Sequence, residues 1–169
     1  MANVSIRPEQ PGDELQIHEI TKAAFQGRPY AGGDEQDVID RLRSIGAMTL
    51  SLVAVEDDDI LGQVTFSLAA QADGSGPWFA LGPVSVTPER HGQGVGALLI
   101  NQGLDELKKL EALGCILTGD PNYYQRFGFK VSPEHCPTNE PGEYFQLLVF
   151  GDQQPTDRFT FHRAFYEAV

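Results

Sequence analysis

Apolar and polar positions change their spacing several times along the chain, and each change marks an element. Val4-Ser5-Ile6-Arg7 before Pro8 reads as a short first strand. The polar cluster from Glu9 to Asp13 opens a helix carrying Leu15, Ile17, Ile20, Ala24 and Phe25, whose helical spacing predicts one inward face. Gln26 to Gly33 holds three Gly and one Pro and is expected as a loop. Asp34-Glu35 then start a second helix with Val38, Ile39, Leu42 and Ile45 inward, and acidic residues in a first turn suit the helix dipole.

The middle of the chain shifts to a period of two. Ser51 to Val55 is almost wholly apolar, Asp57-Asp58-Asp59 reads as a turn, and Ile60 to Ala70 alternates with Val64, Phe66 and Leu68 on one face, which predicts a hairpin. Trp78 to Val86 is a further strand, interrupted by Gly82-Pro83. Proline removes a ladder donor, so a bulge or a splay of the sheet is expected there. A long helix should run from about Gly94 to Leu113 with Val95, Leu98, Leu99, Leu104, Leu107 and Leu110 as its apolar stripe, ended by Gly114. Cys115 to Thr118 is a strand, Asn122 to Phe127 a short helix, and Phe129 to Val131 and Tyr144 to Phe150 are strands. This order is α+β rather than a regular βα repeat, and no internal repeat or linker divides it.

Composition narrows the class. The chain has 169 residues, which at about 100 to 200 residues per domain suggests a single domain over 1–169. Lys and Arg number 12 against 24 Asp and Glu, a net charge of -12, which argues against a nucleic-acid or anionic-membrane partner. Apolar runs are far shorter than the roughly 18 to 20 residues of a membrane span, and Met1-Ala2-Asn3 opens no signal peptide, so a soluble cytoplasmic protein is expected. Cys115 and Cys136 are too few for a disulfide framework, and Cys115, within Cys115-Ile116-Leu117, reads as a reduced core thiol. His18 and His162 are isolated and His135-Cys136 is one adjacent pair, so no metal is expected.

The informative segment is Val84-Ser85-Val86-Thr87-Pro88-Glu89-Arg90-His91-Gly92-Gln93-Gly94-Val95-Gly96-Ala97-Leu98-Leu99. A strand enters a turn with glycine at 92, 94 and 96, and a helix leaves it. Such a turn lets successive N–H groups and the positive helix end converge on phosphate oxygens, which predicts a diphosphate site. The competing reading is a tight connection and nothing more. A dinucleotide fingerprint needs G-x-G-x-x-G in a βαβ unit, whereas here the spacing is G-x-G-x-G after a meander. A P-loop needs Gly-Lys before Ser or Thr, and no lysine occurs between Lys22 and Lys108.

The run from Val84 to Leu99 resembles the acetyl-coenzyme A pyrophosphate motif of the GNAT N-acetyltransferase superfamily, Q/R-x-x-G-x-G/A after a V-x-V strand, with His91-Gly92-Gln93-Gly94-Val95-Gly96 in the motif. Leu117 to Phe129 resembles that superfamily's strand, short helix and Y-x-x-x-G-F segment. Leu81-Gly82-Pro83 and Tyr123-Tyr124-Gln125-Arg126-Phe127-Gly128-Phe129 are similar to its YhbS-type members. His91 departs from the usual Gln or Arg, so either a solvated ring or a phosphate contact is open for its side chain.

The resemblance implies one N-acetyltransferase domain over 1–169 with a GNAT-like acyl-CoA N-acyltransferase fold, its central sheet mostly antiparallel and splayed, with helices on its flanks. It implies acetyl-CoA as cosubstrate, no metal, and attack of a primary amine in a ternary complex. Backbone from Gly92 to Ala97 would hold the diphosphate. Val84 and Val86 would pair with the pantetheine, with the Val86 N–H polarising the thioester carbonyl. Tyr124, four residues before Gly128, takes the general-acid position. A phenol of ordinary pKa of about 10 stays protonated at neutral pH and can give a proton to a thiolate. Tyr123 reads as packing, and Asn122 either caps the short helix or contacts coenzyme A. Glu35, with Asp34 beside it, and a water chain are the alternatives for the base. The acceptor is a small-molecule or peptide amine, a homodimer is left open, and the competing function is a coenzyme A binding or sensing module without catalysis.

Overall fold

The computed structural model describes residues 3–29 and 31–167. Of the sequence readings, Tyr30 in the expected loop and Met1-Ala2 at the start lie outside the described residues. The strands are β1 (Ser5–Pro8), β2 (Met48–Glu56), β3 (Asp59–Gln71), β4 (Trp78–Val86), β5 (Gly114–Thr118), β6 (Lys130–Val131), β7 (Phe145–Val149) and β8 (Phe159–Thr160). The helices are α1 (Glu14–Phe25), α2 (Glu35–Ser44), α3 (Val95–Lys109) and α4 (Pro121–Tyr124). The sheet runs β1-β2-β3-β4-β5-β7-β6, with β8 paired to β3. β1 with β2, β3 with β8, β5 with β7 and β6 with β7 pair antiparallel and β4 with β5 parallel, so the α+β reading is correct.

The chain forms two compact units: Met1–Phe66, Gly82–Gly103 and Ala164–Val169 make the first, and Ser67–Leu81 and Leu104–Arg163 the second. In the first, β1 and β2 pair from Ser5↔Val55 to Pro8↔Leu52. Ile17 of α1, Ile39 of α2, Val53 and Ile60 form one buried cluster, while Val38, Leu42 and Ala164 form another. The Arg7 guanidinium donates to both oxygens of Asp13 at 2.8 and 3.2 Å, tying β1 to the start of α1 and holding the Asp13 carboxyl below its ordinary range. Thr21 Oγ1 of α1 and Ser85 Oγ of β4 lie 2.9 Å apart, both buried. Because Ser85 turns inward, its neighbours Val84 and Val86 turn to the other face of the strand.

In the second unit, Trp78 and Phe145 are fully buried around Phe159, with ring centroids 5.2 and 6.1 Å from it. The parallel ladder joins Trp78, Phe79 and Ala80 to Gly114, Cys115 and Ile116 and stops there, just before Gly82-Pro83. That is where the proline predicts pairing to fail. Cys115 is a buried free thiol, and burial pushes its ionisation well up, in keeping with a core role.

Several expectations need correction. Leu15 is 71% exposed, because the inward stripe of α1 runs Ile17, Thr21, Ala24. Ile45 lies past the end of α2 and is exposed. Leu98 sits beside the buried line Val95, Leu99, Ile100, Leu104, Leu107, and Leu110 falls after α3 has ended; both are exposed. Leu68 is exposed while Val64 and Phe66 are buried; along 68–71 it is Ala69 and Gln71, on the opposite face, that are covered. Gly114 does not end α3. Glu111, in the left-handed region at φ +60°, does so, and the Ala112 N–H closes the end on Leu107 O at 3.1 Å. Gly114 already belongs to β5. Strand β8 has no counterpart in the sequence reading.

The Thr21–Ser85 pair gives a stability test. Thr21→Val keeps the shape and strands the Ser85 hydroxyl, so unfolding free energy from urea titration should fall by about 1–3 kcal/mol. Adding Ser85→Ala should recover part of that loss.

Candidate active site

The site is built first from backbone. After Val86, a short 3-10 turn at Pro88–Arg90 leads to His91 in extended conformation. Gly92 and Gly94 follow at φ +75° and +86°, a region that side chains with a Cβ rarely enter, which is why glycine stands at both. The first helical bond of α3 is from the Leu98 N–H to Gly94 O at 3.1 Å. The N–H groups of Val95, Gly96 and Ala97 therefore have no backbone acceptor among the described residues. Val95 buries its side chain, so only its backbone is available to a ligand. Free donors at the start of a 15-residue helix form an anion cradle.

Side chains brace this turn rather than fill it. Arg90 Nη1 donates to Glu56 Oε1 at 2.8 Å and its Nε to Gln93 Oε1 at 2.9 Å. The first of these bonds holds the Glu56 carboxyl below its ordinary range. Gln93 also donates to Glu89 O at 3.3 Å, so its side chain is spent within the turn. The Thr87 hydroxyl donates to Glu89 at 2.6 Å and is the main cause of that carboxyl's lowered pKa. His91 is neither purely solvated nor aimed only at a ligand: its ring lies 2.6 Å from Val86 O and 3.2 Å from Arg28 Nη2. Sequence reading missed Arg28, which stands 63 residues away and carries no local signal.

The second unit carries Asn122 and Tyr124. Asp120 caps α4, its carboxylate accepting the Asn122 N–H at 2.9 Å, so the capping role considered for Asn122 belongs to Asp120. The exposed Asn122 side chain makes no hydrogen bond among the described residues. The Tyr124 ring is held by Tyr123, Phe129 and Phe127 at 5.0, 6.1 and 6.3 Å between centroids. Gly119 makes room for it, since a Cβ there would stand 2.7 Å from Tyr124 Cε2. Tyr123 is packed as expected: Arg126 covers its ring at 4.3 Å, and burial raises its phenol pKa.

The carboxylates near α2 are engaged. Glu35 accepts the N–H groups of Gly32 and Gly33 at 2.7 and 3.2 Å, and Asp34 faces Arg41 at 3.4 Å. A hollow of about 260 Å³ opens beside them, with Lys22, Phe25, Arg28 and Glu35 in its wall. His18 is not isolated: with Asp37 and Asp40 it brings three possible ligand atoms within 4.8 Å of one another. Asp40, however, is already bonded to His18 at 2.7 Å and to Arg43 at 3.1 Å. No described helix is long and apolar enough to cross a membrane.

Residues 15–129, which run through both units, match the Acetyltransferase (GNAT) family. The chain belongs to the GNAT acetyltransferase family. It is 31% identical over 131 residues to the uncharacterized N-acetyltransferase YhbS of Escherichia coli K12, covering 77% of this chain and 75% of that protein. Among solved structures it resembles a GNAT family acetyltransferase from Brucella melitensis in complex with acetyl-CoA, with TM-score 0.85 and 42% identity over 96% of this chain and 97% of that one. It also resembles E. coli YhbS in complex with CoA, with TM-score 0.88 and 28% identity over 98% and 93% of the two chains. The fold is thus the GNAT fold implied by the glycine turn and the Tyr-Tyr segment.

Gly94→Val in this GNAT chain tests the cradle. The substitution puts a branched side chain at φ +86°, so acetyl-CoA affinity by calorimetry should fall at least about tenfold while the far-UV spectrum is kept. A folded variant with parental affinity would remove the cradle from this turn.

Proposed function

We infer that the protein is an acetyl-CoA-dependent N-acetyltransferase in which residues 1–169 act as one catalytic domain in the cytoplasm. The observation that carries this reading is the set of free N–H groups from Val95 to Ala97 behind two positive-φ glycines. That backbone, from Gly92 to Ala97, suits the coenzyme A diphosphate, and Asn122 with its free amide is assigned to the cofactor as well. Complexes of the two solved relatives with acetyl-CoA and CoA support the choice of ligand.

In the reaction assigned here, a primary amine of a small molecule or peptide attacks the thioester carbon directly in a ternary complex. Val84 and Val86 align the pantetheine, and the Val86 N–H stabilises the developing oxyanion. The C–N bond forms as the C–S bond breaks. The thiolate takes a proton from the Tyr124 hydroxyl, and the proton shed by the amine leaves through water and restores the phenol. Water is the preferred base because both Glu35 oxygens already accept backbone N–H groups. The same engagement of Glu35 favours one alternative, a non-catalytic coenzyme A binding or sensing module. Acetyl-CoA binding without turnover on a broad amine panel would select it.

Tyr124→Phe keeps the ring packing and removes only the donor. Turnover on the best amine should fall by about 10²- to 10⁴-fold with acetyl-CoA affinity unchanged, while Tyr123→Phe stays within a few fold. Thermal melts show that both variants are folded. Parental turnover in Tyr124→Phe, or damage confined to Tyr123→Phe, would displace the acid.

A further inference from the structure

His91 stands where the acetyl-CoA motif ordinarily has Gln or Arg, and both of its ring nitrogens are engaged within the first unit. Nε2 lies 2.6 Å from Val86 O, and a carbonyl oxygen can only accept, so Nε2 carries the hydrogen. Nδ1 lies 3.2 Å from Arg28 Nη2, and a guanidinium can only donate, so Nδ1 keeps its lone pair. One form of the ring satisfies both partners: the neutral Nε2–H tautomer. As imidazolium it would keep the bond to Val86 and turn a second N–H, with its charge, toward Arg28.

Two other charged groups lie near the ring, and the Glu89 carboxylate interacts with His91 electrostatically. Glu89, two residues before it, accepts the Thr87 hydroxyl at 2.6 Å. Arg90, next in the chain, is turned onto Glu56 at 2.8 Å. Arg28 has no carboxylate partner among the described residues, and its guanidinium bonds to His91. It sits in a loop containing Gly27, Pro29, Gly32 and Gly33, its N–H donating to Phe25 O and its carbonyl accepting from the Ala31 N–H, each at 3.1 Å. The same Arg28 walls the 260 Å³ hollow beside Lys22, Phe25 and Glu35.

We propose that His91 and Arg28 are positioning residues, a neutral-imidazole bridge that ties the α1–α2 loop to the carbonyl of Val86. The proposal rests on the assignment of the Val86 N–H to the thioester, and it gives His91 a task other than holding phosphate. A ring with both nitrogens bonded has one orientation. It sets the end of the catalytic strand and one wall of the adjacent hollow together, so its loss acts on the amine side of the reaction.

Two measurements on the full chain decide it. Long-range ¹H–¹⁵N spectra of the imidazoles, assigned with His91→Gln, should show His91 as the Nε2–H tautomer at neutral pH, and it should remain neutral when CoA is added. An Nδ1–H tautomer, or conversion to imidazolium on CoA addition, overturns the bridge; the second result makes the ring a phosphate ligand. In kinetics, His91→Ala and Arg28→Ala should each raise the amine KM by about 3- to 10-fold, the usual size of one lost hydrogen bond. The double variant should be no worse than the worse single, and acetyl-CoA Kd should stay within about twofold. His91→Gln supplies an amide donor and acceptor in place of the ring nitrogens, so it should restore most of the loss. Additive losses, or an acetyl-CoA Kd that moves more than the amine KM, overturn the proposal. If the parent binds acetyl-CoA but acetylates no amine, the transferase reading fails while the spectra still decide the bridge.

Discussion

A helix that starts without carbonyl partners for its first N–H groups must find them outside itself, and the start of α3 makes that demand in an unusually open way. Glycines at 92 and 94 take left-handed backbone, so no side chain screens the donors at Val95, Gly96 and Ala97. Arg90, Gln93, Glu89, Thr87 and Glu56 bond to one another around the turn, which keeps its side chains off the cradle. An anion is the natural partner for such an arrangement, because helix dipole and free N–H groups act in the same direction.

The strand that feeds this turn is held at two adjacent residues. Ser85 is held inward by Thr21, while Val86 O accepts the imidazole of His91. With β3 on one side and these two bonds, the strand holds its outward residues, Val84 and Val86, in register. In the second unit the parallel ladder ends at Ala80↔Ile116, so the regular hydrogen bonding of β4 with β5 gives out just ahead of Gly82-Pro83. Around Tyr124 the logic is packing: aromatic edges at Tyr123, Phe127 and Phe129 and the bare backbone of Gly119 leave its ring few alternatives.

Much of this was legible from the chain. The G-x-G-x-G spacing, the proline in β4, the hairpin of β2 and β3 and the aromatic run 123–129 are local signals, each set by residues within a few positions of one another. Where local signals were weak or overridden, reading failed. A two-residue strand such as Phe159–Thr160 has no period to detect and exists because Gln71 and Ala70 offer a partner edge. The end of α3 at Glu111 uses a left-handed residue that is not glycine, so Gly114 drew the boundary too late. Asn122 and Asp120 both suit a cap, and only the bond from the Asn122 N–H to Asp120 chooses between them.

By itself the sequence determined the family, the place of the glycine turn and the aromatic run at the short helix, because backbone conformation and motif spacing are properties of neighbouring residues. Tertiary structure decided which polar side chains meet. Arg28 reaches His91, Thr21 reaches Ser85 and His18 reaches Asp40 across separations of 63, 64 and 22 residues. It also decided that Glu35 is committed to loop N–H groups and that Leu15, Leu68 and Leu98 face out. Such pairings depend on how helices and strands pack, and hydrogen-bond partners chosen by packing leave no trace in the local order of residues.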